Sequence, residues 1–286
     1  MKVAILGTEN SHADAFAQLI RDDADFADIT LVGAYGYDAQ ANQRLKDKGL
    51  VTRFADTPDA FVDEVDAVLV TARHGDHHYP YAKAYLEKGL HAFIDKPITI
   101  TAQDANQLFA LAERSGALVC GGSSLKFLRW LDDLIAFMQG KRILAGHVSA
   151  PISMVNDYAG FYFYAQHMVE MMFRVFGTDI RSVVAHCPDT SKNRVSAIFD
   201  YGEFDVAAHY YDGYEYTATV WTDKSWYRIN TYELGDCYKQ ELMEFQTMVN
   251  TRTLPRSFAE MKKPGTLMRL IEQSYTIGKL VEVVWE

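Results

Sequence analysis

Over the first 120 or so residues, short apolar runs alternate with stretches of helical periodicity, and this constrains the fold more than any other feature. Positions 2–6 (Lys-Val-Ala-Ile-Leu) read as a strand, and so do 29–34, 67–71, 92–95 and 117–120. Between them, 12–21, 39–48, 81–88 and 102–115 read as helices; in the first, Ala15, Phe16, Leu19 and Ile20 gather on one side. Strands that are apolar throughout and separated by helices belong to a parallel sheet covered on both faces, with right-handed crossovers. The expectation is α/β: a doubly wound, Rossmann-type domain over residues 1–122.

After Gly121-Gly122 the pattern changes. Positions 127–138 read as a helix, 160–176 contain another, and 181–232 read as a succession of strands rich in Val, Tyr, Thr and Trp. The turns between them are Asp200-Tyr201-Gly202-Glu203, Asp212-Gly213 and Thr222-Asp223-Lys224. Val206, Ala208 and Tyr210 alternate with Asp205, Ala207 and His209, the mark of a sheet with one covered face and one exposed or oligomer-forming face. Helices return at 238–249 and 266–281, with Pro255 and Pro264 as breakers between them. Residues 123–286 are therefore expected to form an α+β domain with an open antiparallel sheet, for substrate binding and self-association.

Charge narrows the partners. With 28 basic and 38 acidic residues the chain carries −10, and no basic run interrupts that balance, so neither nucleic acid nor an anionic membrane is expected as a partner. Cys120, Cys187 and Cys237 are odd in number and far apart, which suits buried thiols in a reducing compartment. No stretch is long and apolar enough to span a bilayer, and Met1-Lys2-Val3-Ala4-Ile5-Leu6 begins directly with a strand. A soluble, cytoplasmic protein is expected.

Asp95-Lys96-Pro97 closes the apolar run Ala92-Phe93-Ile94. In open parallel sheets ligands bind beyond the carboxyl ends of the strands, and Pro97 stops the strand there, so Lys96 is expected in the ligand crevice. The surrounding segments, His78-Tyr79-Pro80-Tyr81-Ala82, Gly89-Leu90-His91 and Asp95-Lys96-Pro97, follow in fixed order. Further on, His167-Met168-Val169-Glu170 is followed by Gly177. In these motifs and their spacing, over nearly the whole chain, the sequence resembles the family of glucose-fructose oxidoreductase, inositol dehydrogenase and rhizopine-catabolism proteins (Gfo/Idh/MocA), with Asp95 where that family has Glu.

The resemblance implies an NAD(P)-dependent oxidoreductase that acts on a sugar, polyol or related hydroxyl compound by hydride transfer. It implies Lys96 and His167 as the catalytic pair. Lys96 would hydrogen-bond the reacting oxygen and the cofactor ribose, and His167 would accept or relay the proton. The cofactor-binding candidates are Gly7, Thr8, Asn10, Ser11, Asp38, Thr71, His78, Asp95 and Lys96, for either NAD or NADP. The substrate-binding candidates are Lys126, Tyr164 and His167. Lys126 stands where many relatives have an arginine, and Tyr164 belongs to the run Phe161-Tyr162-Phe163-Tyr164, which suits either stacking on a sugar ring or internal packing.

Three positions depart from the family pattern. A dinucleotide loop needs glycine where the backbone approaches the pyrophosphate, and Gly7-Thr8-Glu9-Asn10-Ser11-His12 keeps only the first. A carboxylate at Glu9 repels phosphate unless turned away or protonated. Gly36 stands where an acid usually holds the ribose hydroxyls, with Asp38 two residues on, and Phe163 replaces a second acid/base group four residues before His167. Two other readings thus remain beside the dehydrogenase: a non-redox binding or regulatory protein, and an NAD-assisted lyase or hydrolase. His74, Asp76, His77 and His78, with Glu9 and His12, are metal-ligand types, but their spacing matches no motif and no metal is expected. A homo-oligomer, dimer or tetramer, is expected.

Overall fold

The computed structural model describes residues 1–231 and 234–285. Tyr232, the expected end of the strand succession, and Glu286, the end of the expected second domain, lie outside them. The chain divides into two compact units, Met1–Gly122 with Tyr238–Met261, and Ser123–Cys237 with Lys262–Glu286. The segment 238–261, assigned by the sequence pattern to the second domain, thus belongs to the first unit.

In unit 1, β1 (Lys2–Leu6), β2 (Thr30–Tyr35), β3 (Phe54–Ala55), β4 (Ala67–Val70), β5 (His91–Asp95) and β6 (Val119–Gly122) form a six-stranded sheet in the order β3-β2-β1-β4-β5-β6. All its pairings are parallel. The order reverses direction between β1 and β4, so the crevice of a doubly wound sheet lies beyond the carboxyl ends of those strands. The helices are α1 (Ser11–Asp22), α2 (Ala39–Asp47), α3 (His78–Glu87) and α4 (Ala102–Ser115). Their ends follow the sequence: Asn10, Asp38 and Thr101 cap α1, α2 and α4, and Gly116 ends α4 in the left-handed region at φ 75°. One core layer combines Val3, Ile5, Phe16 and Phe93 with Leu242, Phe245 and Met248 from α7 (Cys237–Thr251), which explains why 238–261 returns to this unit.

In unit 2, β7 (Ile143–Pro151), β8 (Ser182–His186), β9 (Val195–Asp200), β10 (Asp205–Tyr211), β11 (Tyr216–Thr222), β12 (Trp226–Thr231) and β13 (Val281–Glu282) form a sheet ordered β12-β11-β7-β10-β9-β8-β13. It is mixed, because β7 runs parallel to β10 while its other pairings are antiparallel. Strand β7 is central and was not evident in the sequence. Val206, Ala208 and Tyr210 are buried and Asp205 and His209 exposed, as their alternation predicts. Helices α5 (Arg129–Met138) and α6 (Tyr162–Phe176) belong to the same unit. The second breaker is corrected: Pro264 lies inside α8 (Phe258–Ile277), whose backbone continues through it.

Candidate active site

In unit 1 the loops after β1, β4 and β5 are tied to one another at the carboxyl ends of the strands. Gly7 has φ 102°, and a Cβ there would stand 2.3 Å from the Ala72 backbone, so only glycine lets these loops touch. Thr71 locks the contact by donating its hydroxyl to Gly7 O at 2.6 Å. His78 is fully buried, with Nδ1 2.7 Å from Pro97 O and Nε2 2.8 Å from Ala72 O. Both of its nitrogens face backbone carbonyls, so it clamps the loops after β4 and β5 and offers no ring nitrogen to a cofactor.

The departures from a dinucleotide loop have structural counterparts. Glu9 is buried, and its Oε1 accepts from Arg73 N at 2.8 Å. The carboxylate is turned toward the loop after β4 and takes up one of that loop's amides. A Cβ at Gly36 would stand 1.9 Å from Thr8 Oγ1, so no acid fits there with Thr8 in place. Thr8 donates to Asn42 Oδ1 at 2.6 Å, and Asn42 Nδ2 donates to Gly36 O at 2.8 Å. Asp38, expected at the ribose, spends Oδ1 on Gln40 N and Ala41 N as the cap of α2. Beside it, Tyr37 and His77 meet at 5.7 Å between ring centroids, and His77 stacks on Tyr81 at 5.2 Å. This aromatic shelf was not singled out in the sequence.

Asp95 and Lys96 lie at the end of β5, both buried, and a cis Lys96-Pro97 bond follows them. Asp95 Oδ1 accepts from Lys96 N at 2.6 Å and Oδ2 from Asn10 Nδ2 at 2.6 Å. Ser11, next to Asn10, places its hydroxyl 3.2 Å from Tyr238 Oη. Burial pushes the Asp95 carboxyl up to about 6 against the pull of His12 and Lys96. Burial likewise draws the Lys96 ammonium down to about 8 against the pull of Asp95. His12 is also buried: Nε2 is 3.1 Å from Glu241 Oε2, and Nδ1 is 3.1 Å from Asp95 Oδ2 but off the line of a hydrogen bond. Neither the pairing of His12 nor the presence of Glu241 was read from the sequence, since 229 positions separate the two.

The remaining candidates belong to unit 2. His167 is buried on α6, with Nδ1 2.7 Å from Ser123 Oγ. Ser123 Oγ accepts from Leu125 N at 3.1 Å and has a second lone pair for an Nδ1–H of His167, the tautomer that leaves Nε2 unprotonated and able to take a proton. Glu170 fixes the serine from behind by accepting from Ser123 N at 2.9 Å and from Gln166 Nε2 at 2.6 Å. Tyr164 stands 5.6 Å from the His167 ring, and Phe163 packs between Tyr158 and Tyr164. Lys126 Nζ lies 4.8 Å over the Phe127 ring. Among the described residues no three His, Cys, Asp or Glu side chains are gathered as metal ligands.

Residues 1–123 match the GFO_IDH_MocA model, described as an oxidoreductase family with an NAD-binding Rossmann fold. The uncharacterized oxidoreductase YdgJ of Escherichia coli (strain K12) is 34% identical over 108 residues, 38% of this chain and 30% of that protein. The match thus spans less than a third of the relative's length. GenD2 from gentamicin A biosynthesis, solved in complex with NAD, superposes with a TM-score of 0.84 at 15% identity over 99% of this chain and 96% of that one. Myo-inositol 2-dehydrogenase from Lactobacillus plantarum gives 0.84 at 13% identity over 99% of both chains. At these identities the likeness is one of fold. No helix among the described residues is long and apolar enough to cross a membrane.

Proposed function

We propose that the chain, whose residues 1–123 match the Gfo/Idh/MocA oxidoreductase family, is an NAD(P)-dependent dehydrogenase of a sugar, polyol or related hydroxyl compound. The observation that carries the reading is Lys96, buried at the carboxyl end of β5, with its ammonium drawn down to about 8 beside Asp95. The bound dinucleotide supplies the hydride acceptor. Lys96 donates a hydrogen bond to the substrate oxygen and steadies the negative charge that grows there. His167, held through Nδ1 by Ser123, takes the hydroxyl proton, so the C–H and O–H bonds break as the C=O bond forms. Lys126 and Tyr164 line the substrate side in this reading, and the shelf of Tyr37, His77 and Tyr81 offers a flat aromatic face to the adenine.

The packing of Thr8 against Gly36 supports a second reading, a binding protein with a weakened cofactor site, because it removes the ribose acid. Calorimetry with NAD(H) and NADP(H), followed by a screen of polyols and sugars for dinucleotide reduction, separates the two. Binding with turnover supports the dehydrogenase; absence of binding to either dinucleotide overturns it.

Self-association is part of the same proposal. The outer face of the unit 2 sheet exposes Ile198, Trp221 and Trp226 around His147 and His209. A dimer or tetramer that covers this face is expected in light scattering, and Trp226→Asp should shift it toward monomer. A wild-type monomer at high concentration would overturn the assignment.

A further inference from the structure

Three ionisable side chains of unit 1, Glu241, His12 and Asp95, form a buried chain from α7 to the end of β5, where the buried Lys96 follows. Glu241 is fully buried and touches His12 at 3.1 Å. On the other side of the imidazole, 3.1 Å away, is Asp95 Oδ2, the oxygen that also takes the Asn10 amide. Asp95 Oδ1 holds the backbone amide of Lys96. Leaving a carboxylate such as Glu241 in a protein interior costs several kcal/mol unless other charges compensate it. Hydrogen bonding His12 alone does not require a charge at position 241, because a neutral amide of the same shape does that as well.

We propose that Glu241 is a positioning residue for Lys96: it holds the His12 ring in place beside Asp95 at the end of β5, and its negative charge keeps the Lys96 side chain an ammonium in a buried place. The charged groups acting on Lys96 come from each neighbouring element. Asp95 on β5 and Glu241 on α7 favour its proton, and Arg73 in the loop after β4 opposes it. His12 on α1, whose imidazole burial holds neutral, transmits the contact. With Arg73 pushing the proton off, Asp95 alone has to balance both burial and a cation; Glu241 adds the second negative charge. The returning segment 238–261 thereby does more than complete a core, for it brings that charge to the lysine.

The test is the titration of Lys96 in the full-length protein. Lysines are labelled with carbon-13 and nitrogen-15, and the side-chain resonance of Lys96 is assigned by its loss in Lys96→Arg. In the wild type the midpoint should lie near 8. Glu241→Gln keeps the shape and the bond to His12 but removes the charge, so the midpoint should fall by about 0.5–1 pH unit. Glu241→Asp withdraws the charge by one methylene; it should give a smaller fall, and carries the test if the glutamine variant does not fold. An unmoved midpoint in either folded variant overturns the proposal. The turnover arm rests on the reading of Lys96 as the group at the reacting oxygen, in which case the alkaline limb of kcat/KM should fall with the midpoint. A lower midpoint with an unmoved alkaline limb would uphold the role of Glu241 and overturn that of Lys96 in the reaction.

Discussion

On the proposed mechanism, Lys96 and Asp95 set opposite edges of one pH window. Lys96 would donate to the substrate oxygen only as an ammonium, so activity should be full below about 8 and be lost as pH rises through that value. Asp95 holds the lysine as a carboxylate, so activity is lost as pH falls through about 6. A bell-shaped kcat/KM profile between those values is the expected result, and a profile flat from 5 to 9 would remove the pair from the mechanism. Lys96→Ala and His167→Ala should each lower turnover by about 10²-fold or more with the fold kept, as judged by circular dichroism. Ser123→Ala removes one hydrogen bond to His167, worth about 0.5–1.5 kcal/mol, and should cost up to about tenfold in kcat. Lys96 and His167 drew attention in the sequence because each sits in a short motif, and their catalytic role is part of the proposal. Their supports were not legible: Ser123 is 44 positions from His167 and Glu241 is 229 from His12, and no local pattern reports a contact made by folding.

At the scale of elements, legibility followed local signals. Strand β1 and helix α4 fall at 2–6 and 102–115 as read, since an unbroken apolar run marks the one, and Thr101 and Gly116 bound the other. Strand β7 escaped because Ile143-Leu-Ala-Gly-His-Val-Ser-Ala-Pro151 is rich in small residues and owes its order to partners more than 50 positions away. The loop after β1 shows how a residue read by its charge alone acquires a different role from its neighbours. Glu9 looks like an obstacle to pyrophosphate and an invitation to mutate it to glycine for tighter binding. Its carboxylate is instead the acceptor for Arg73 N in a buried place. Glu9→Gly therefore leaves that amide without its partner and adds backbone freedom, for a loss of about 1–3 kcal/mol in a denaturant melt. Dinucleotide affinity in calorimetry should stay level or weaken. A clear gain would show that the charge, and not the tether, dominates at this position.

For the whole molecule, the feature that the sequence pattern hid is that unit 1 is not continuous. Residues 1–122 read as a complete doubly wound domain because they contain every strand and crossover of the sheet. The core shows otherwise: Leu242, Phe245 and Met248 are at most 1% exposed, and with Val249 they pack in the same layer as Val3, Ile5 and Phe16. Met261 does the same on the other layer, beside Tyr81 and Phe109. Full burial of a large apolar side chain contributes about 1.5–3 kcal/mol, so these five together are worth on the order of 7–15 kcal/mol. That is comparable with the net stability of a typical domain, about 5–15 kcal/mol. A fragment of residues 1–122 should consequently be aggregated or molten, with near-ultraviolet circular dichroism lost and a hydrophobic dye bound. Joining 238–261 to it through a flexible linker should restore a cooperative melt. If the short fragment alone melts cooperatively and stays monomeric, the returning helix is dispensable to the core and its retention would have to rest on Glu241.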